Sequence, residues 1–122
     1  MQNPICYWEL ASYDAEKSTK FFEAVFGWNF EYDKNSTIHD LPIADDQKPF
    51  GGGVFTLQKA KMPFLTLYIL VDDIEEKVKK IEEHGGFITI PPTVPFTGGP
   101  TICLFNEPSG VTFAMLQRRR KE

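Results

Sequence analysis

The chain repeats itself, and this constrains it more than any single residue does. Laid over itself with an offset of 59 residues, Leu10-Ala-Ser-Tyr-Asp-Ala-Glu16 falls on Ile69-Leu-Val-Asp-Asp-Ile-Glu75. Phe26-Gly27 falls on Gly85-Gly86, and Gly51-Gly-Gly-Val-Phe-Thr-Leu57 on Gly110-Val-Thr-Phe-Ala-Met-Leu116. Apolar strand, acidic turn, helix, glycine and further strands thus occur twice without a gap. Such duplication sets an architecture of two like units before side-chain chemistry is considered. The same offset pairs Tyr7 with Thr66, Glu9 with Tyr68 and Phe55 with Ala114.

The elements follow from local pattern. Ile5 to Ala11 is apolar and aromatic, a strand ended by Ser12-Tyr-Asp14. From Ala15 to Phe26, Phe21, Phe22, Val25 and Phe26 recur at helical spacing. Ser12 or Asp14 caps this helix and Gly27 ends it. Its apolar residues lie on more than one side, which fits either a sandwiched helix or a dimer interface. Strands are expected over Trp28 to Asp33, Thr37 to Ile43 and Val54 to Gln58, with Gly51-Gly-Gly53 leading into the last. A polar loop is expected over Ala44 to Pro49, and Lys59 to Pro63 joins the halves.

The second half repeats this order. Phe64 to Val71 is a strand, and Asp72-Asp73 opens a helix with Ile74, Val78 and Ile81 on one stripe. His84-Gly85-Gly86 closes it, the histidine suiting the helix dipole. Strands follow at Phe87 to Ile90, Thr101 to Asn106 and Val111 to Gln117, with a loop over Pro91 to Pro100. The order is βαβββ twice, an α+β fold. Each sheet carries a helix on one face and must bury the other. Two paired modules, about 1–60 and 61–122, are expected to curve into one open, barrel-like sheet with helices outside. Together they make a single domain, 1–122, with a concave interior suited to a ligand.

Composition narrows the partners. The net charge of −4 lacks the basic field of a nucleic-acid binder, and Arg118 to Lys121 reads as a solvated terminus. No stretch reaches the ~18 apolar residues of a membrane span. The N-terminus has neither a basic nor an apolar leader region, so a cytoplasmic location is the expectation. Cys6 and Cys103 sit in apolar strands as buried free thiols. Eleven phenylalanines point to an aromatic core or pocket.

These residues resemble the vicinal oxygen chelate superfamily: glyoxalase I, bleomycin-resistance proteins and extradiol dioxygenases. The carriers are Phe21-Phe-Glu-Ala-Val-Phe-Gly-Trp28, Gly51-Gly-Gly53, Val71-Asp-Asp-Ile74 with Gly85-Gly86, and Glu107-Pro-Ser-Gly-Val-Thr-Phe113. The resemblance implies paired βαβββ modules and a homodimer. In metal-using members it also implies four ligands, His or Glu, from four strands. Those positions here are Tyr7, Phe55, Thr66 and Ala114. A phenol binds ferric iron and a hydroxyl ligates poorly; Phe and Ala cannot ligate. No metal or other cofactor is therefore expected.

The expected ligand-binding set is Tyr7, Glu9, Phe55, Thr66, Tyr68 and Ala114. Glu9 lies two residues from Tyr7 on one strand face and is the candidate general base. His39 stands beside Asp40, which has the chemistry to orient an imidazole. An atypical metal site from Glu9, His39 and Cys103 would need strands of both halves to converge. Three functions compete: a metal-free binder of an apolar or aromatic small molecule, a superfamily lyase, isomerase or dioxygenase, and a structural or regulatory dimer.

Overall fold

Two βαβββ units, seen in a computed structural model, reproduce the repeat; residues 2–42, 51–58 and 62–119 are described. The first carries β1 (Ile5–Ser12), α1 (Ala15–Phe26), β2 (Glu31–Asp33), β3 (Ile38–Leu41) and β4 (Gly51–Thr56). The second carries β5 (Phe64–Leu70), α2 (Ile74–Glu83), β6 (Phe87–Thr93), β7 (Thr101–Asn106) and β8 (Thr112–Gln117). Two compact bodies result: Tyr7–Thr66, and Met1–Cys6 with Leu67–Glu122. The expected loop over Ala44 to Pro49 and most of the linker after Gln58 lie outside the described residues.

In the Tyr7–Thr66 body the strand order is β2-β3-β4-β1. β1 runs parallel to β4, and the other neighbours are antiparallel. Asp14, not Ser12, caps α1: its carboxylate accepts from the Lys17 N–H at 3.2 Å. Ser12 supports the cap by accepting from the Asp14 N–H at 3.0 Å. Gly27 ends the helix in the left-handed region, φ +72°, where a Cβ is disfavoured. Val54 and Ala11 are fully buried, and Ala15 and Thr19 bring the helix onto the sheet. Phe22 stacks on Trp28 with centroids 4.8 Å apart. Such a pair adds about 1 kcal/mol beyond its area burial.

The three glycines belong to β4 instead of preceding it. A Cβ on Gly52 would fall inside the Trp8 indole, and one on Gly53 would meet the Tyr7 hydroxyl and Ile38. Each ring lies across the adjacent strand, which requires a bare backbone there.

The other body repeats this scheme as β5-β8-β7-β6, with β5 parallel to β8. Asp73 caps α2 by accepting from the Glu76 N–H at 3.1 Å. Val71, Ile74, Cys103 and Met115 form the core under α2, with Val78 and Ile81 packed on it. β6 runs on to Thr93, through the prolines expected to start a loop. It is an edge strand with register shifts between Ile88 and Thr93, and such irregular edges tolerate residues without an N–H. The aromatic stretch from Trp28 keeps only Glu31–Asp33 as strand; Trp28 and Phe30 pack against each other instead.

Candidate ligand-binding site

Ladder register fixes which side chains share a face, because partners across a sheet point the same way. Asp40, Gly53 and Glu9 form one row across β3, β4 and β1. His39, Val54 and Leu10 form the next. Adjacent rows face opposite ways. The face carrying Trp8, Val54 and His39 is the one covered by α1, since Trp8 packs against Trp28 and Trp28 against Phe22. Tyr7, Glu9, Phe55 and Asp40 therefore share the face away from the helix.

On that face the Tyr7 hydroxyl donates to Asp40 Oδ1 at 3.2 Å. With no side chain on Gly53, the phenol crosses β4 to reach β3. Burial pushes the Tyr7 phenol well above its ordinary range, and the carboxylates of Glu9 and Asp40 add to this. The hydroxyl is thus protonated at neutral pH and acts as a donor. Burial also raises the Asp40 carboxyl, while the Tyr7 hydrogen bond pulls it back. Phe55 lies on the same face and meets Phe64 edge-on, with centroids 6.5 Å apart. The face carries a phenol whose proton is committed to Asp40 and whose oxygen can still accept, two carboxyl groups and the Phe55 ring. That set suits a small ligand with an apolar body and hydrogen-bonding groups.

Of the residues expected at the site, Tyr7, Glu9 and Phe55 are brought onto one face. Thr66 is buried in β5. In the other body Tyr68 and Ala114, both buried, are direct ladder partners. This pairing revises the repeat. Glu9 pairs with Gly53, 44 residues on, whereas its counterpart Tyr68 pairs with Ala114, 46 residues on. The offset of 59 holds through the first strand and helix and grows by two at the last strand. Ala114 thus corresponds structurally to Gly53, and Phe55 to Leu116. Neither pairing introduces a metal-ligating side chain.

Asp40 is the residue that sequence reasoning missed in this role. Its place beside His39 suggests a group able to orient the imidazole, yet neighbouring residues of one strand face opposite ways. His39 instead lies against Tyr32 on the helix side, with ring centroids 4.7 Å apart. The available signal was Asp40's position opposite Gly53 once β3 and β4 are paired. His39 and Glu9 are on opposite faces, so the atypical metal site built on them does not form. Cys103 is wholly buried under α2. Burial raises both Cys6 and Cys103, and both are free thiols; thiols of this kind are poor nucleophiles.

Tyr7, Phe55, Thr66 and Ala114, the four positions that the resemblance singles out, hold a phenol, a hydroxyl and two hydrocarbons, a donor set that does not fit a divalent cation. Among the described residues, no group of three or more His, Cys, Asp or Glu is placed to hold a metal. No helix among them is long and apolar enough to cross a membrane.

Residues 5–115 match the family model of the Glyoxalase/Bleomycin resistance protein/Dioxygenase superfamily. A glyoxylase-like domain-containing protein of Didymella fabae is 27% identical over 123 residues, covering 93% of this chain and 92% of its own. Among solved structures, a hypothetical protein from Bacillus halodurans C-125 superposes with a TM-score of 0.71 at 15% identity, covering 100% of this chain and 99% of its own. A methylmalonyl-CoA epimerase from Mycobacterium tuberculosis gives 0.67 at 12% identity, covering 95% and 88%. These structural likenesses concern the fold.

Proposed function

Since this chain belongs to the Glyoxalase/Bleomycin resistance protein/Dioxygenase superfamily, we propose that it is a metal-free small-molecule binding protein whose ligand lies against Tyr7, Glu9 and Phe55. One observation carries the reading. At Tyr7, which the resemblance aligns with a ligand position of metal-using members, stands a protonated phenol bonded to Asp40. The phenol oxygen, its proton held by Asp40 and with Glu9 beside it, accepts from a polar group of a ligand whose apolar part rests on Phe55. The protein acts as a homodimer in this reading. Phe21, Val25 and Phe26 of α1 are each more than half exposed and supply an apolar face for a second copy.

The test joins metal content with ligand titration. Untagged protein, purified without chelator, is analysed by elemental mass spectrometry. It is then titrated with small aromatic amines and alcohols, with tryptophan fluorescence as the readout. Substoichiometric metal and saturable binding that weakens about tenfold in Tyr7→Phe support the reading. A stoichiometric bound metal, or turnover of a substrate, overturns it.

A second reading has Glu9 as general base of a superfamily isomerase. It is favoured by Glu9 acting on Tyr7 electrostatically, which places a carboxylate near a proton donor. The fold is also shared with methylmalonyl-CoA epimerases. Glu9→Gln separates the two: a base variant loses turnover and keeps affinity, whereas a binding variant loses affinity with no turnover to lose.

A further inference from the structure

We propose a second binding site, for a small apolar carboxylate, in the groove beside α2. The groove lies wholly within the body formed by Met1–Cys6 and Leu67–Glu122. It belongs to the helix-covered side of that sheet, so it is separate in kind from the Tyr7 face and does not depend on the function proposed for it.

The groove arises from how α2 sits. The helix packs chiefly against β6 and more sparsely against β7 and β8. Apolar side chains on β5 and β8 are consequently left along its flank. Ile69, Val71, Phe105 and Met115 floor the groove and Ile81 forms its wall, enclosing about 360 Å³. Val71 and Met115 are themselves buried and belong to the core, so the floor is firm. The volume is at the low end of small-molecule sites and suits a compact apolar body.

The rim specifies the head group. Lys77 and Lys80 stand over the groove from α2. Both reach Glu76, at 3.9 and 3.8 Å, but these are long pairs to an exposed carboxylate that hold the ammonium groups weakly. Each ammonium keeps donors for another acceptor. Glu107, the acidic residue on the rim, is committed to its own turn: its carboxylate accepts from the Ser109 and Val111 N–H groups and from the Ser109 hydroxyl. These bonds hold its carboxyl below the usual range. His84 is fixed at the end of the rim, its Nδ1 bonded to the Lys80 carbonyl at 2.8 Å. An apolar floor beneath two lysines matches a ligand with a hydrocarbon body and one carboxylate.

The experiment uses the whole chain and amide-resolved NMR titration with four probes: octanoate, 2-naphthoate, octanol and octylamine. Octanoate and 2-naphthoate distinguish an aliphatic from an aromatic acid, and stronger binding of either supports the site. The acids should shift the amides of Ile69, Val71, Ile81 and Phe105 saturably. In Lys77→Gln/Lys80→Gln the acid Kd should rise about five- to tenfold, the loss of two weak charge contacts worth about 1–1.4 kcal/mol together, while the octanol Kd stays unchanged. Both lysines are surface residues, and an unchanged amide spectrum away from α2 verifies folding. The proposal is overturned if neither acid shifts these amides up to about 10 mM, a Kd too weak for a built site. It is equally overturned if octylamine binds as tightly as octanoate, or if the double variant leaves the acid Kd unaltered.

Discussion

The Tyr7 hydroxyl donates a 3.2 Å hydrogen bond to Asp40 Oδ1, joining residues 33 positions apart across a strand of bare glycines. The bond exists because β1, β4 and β3 are neighbours and Gly53 leaves the space between them empty. It commits the only proton of the phenol to a carboxylate. It also ties the chemistry of the face to its packing.

Tyr7→Phe should remove this donor and little else. Losing a partly buried hydrogen bond costs about 1 kcal/mol, read by chemical denaturation. Because the Tyr7 bond lowers the Asp40 carboxyl, its loss should move that carboxyl further upward in a carbon-detected NMR titration. An Asp40 titration identical in the two proteins would show that the bond does not form in solution.

Asp40→Asn should change how stability depends on pH. Folding raises the Asp40 carboxyl above its ordinary value of 3.8, chiefly by burial. The folded state thus favours the protonated form, and this contribution is fully present below 3.8. It is lost as pH rises through the raised folded value. The variant should gain stability relative to the parent across that window and hold a constant advantage above it. Denaturant unfolding at steps from about pH 3 to about pH 7 measures the difference. A flat difference across the range contradicts the assignment.

Gly52→Ala should be destabilising by about 1–3 kcal/mol, as expected when a methyl is forced into a packed site. The obstructing group is the Trp8 indole. Trp8→Leu in the same chain should recover part of the loss, and the double-mutant cycle isolates the coupling. Additive costs would mean that the two residues do not meet.

Phe21→Glu/Val25→Glu should leave the fold intact, since both side chains are exposed, and should convert the dimer proposed above to a monomer. Light scattering coupled to size exclusion reports the mass. A parent that is already monomeric, or a variant that is still dimeric, removes α1 as the interface.

The glycine pattern was only half legible in the sequence. Gly27 reads directly as a helix stop, because a left-handed residue after an apolar helix is a local event. Gly51-Gly-Gly53 reads as a lead-in, because its meaning lies in Tyr7 and Trp8, more than forty positions earlier. Likewise, Pro91-Pro92 signals a loop by local rules, yet the strand continues through it at a sheet edge.

What the sequence determined by itself is the βαβββ repeat, the helix boundaries, and the absence of His and carboxylate side chains at Tyr7, Phe55, Thr66 and Ala114. These rest on short-range periodicity, on residue chemistry and on comparison of the two halves. What only the tertiary structure decided is partnership: Asp40 with Tyr7 instead of with His39, His39 on the opposite face from Glu9, and Ala114 opposite Tyr68 in a register two residues longer than that of Glu9 and Gly53. Side chains alternate along a strand, so one residue of register chooses the face. Register is set by pairing between strands far apart in sequence, which no local pattern records.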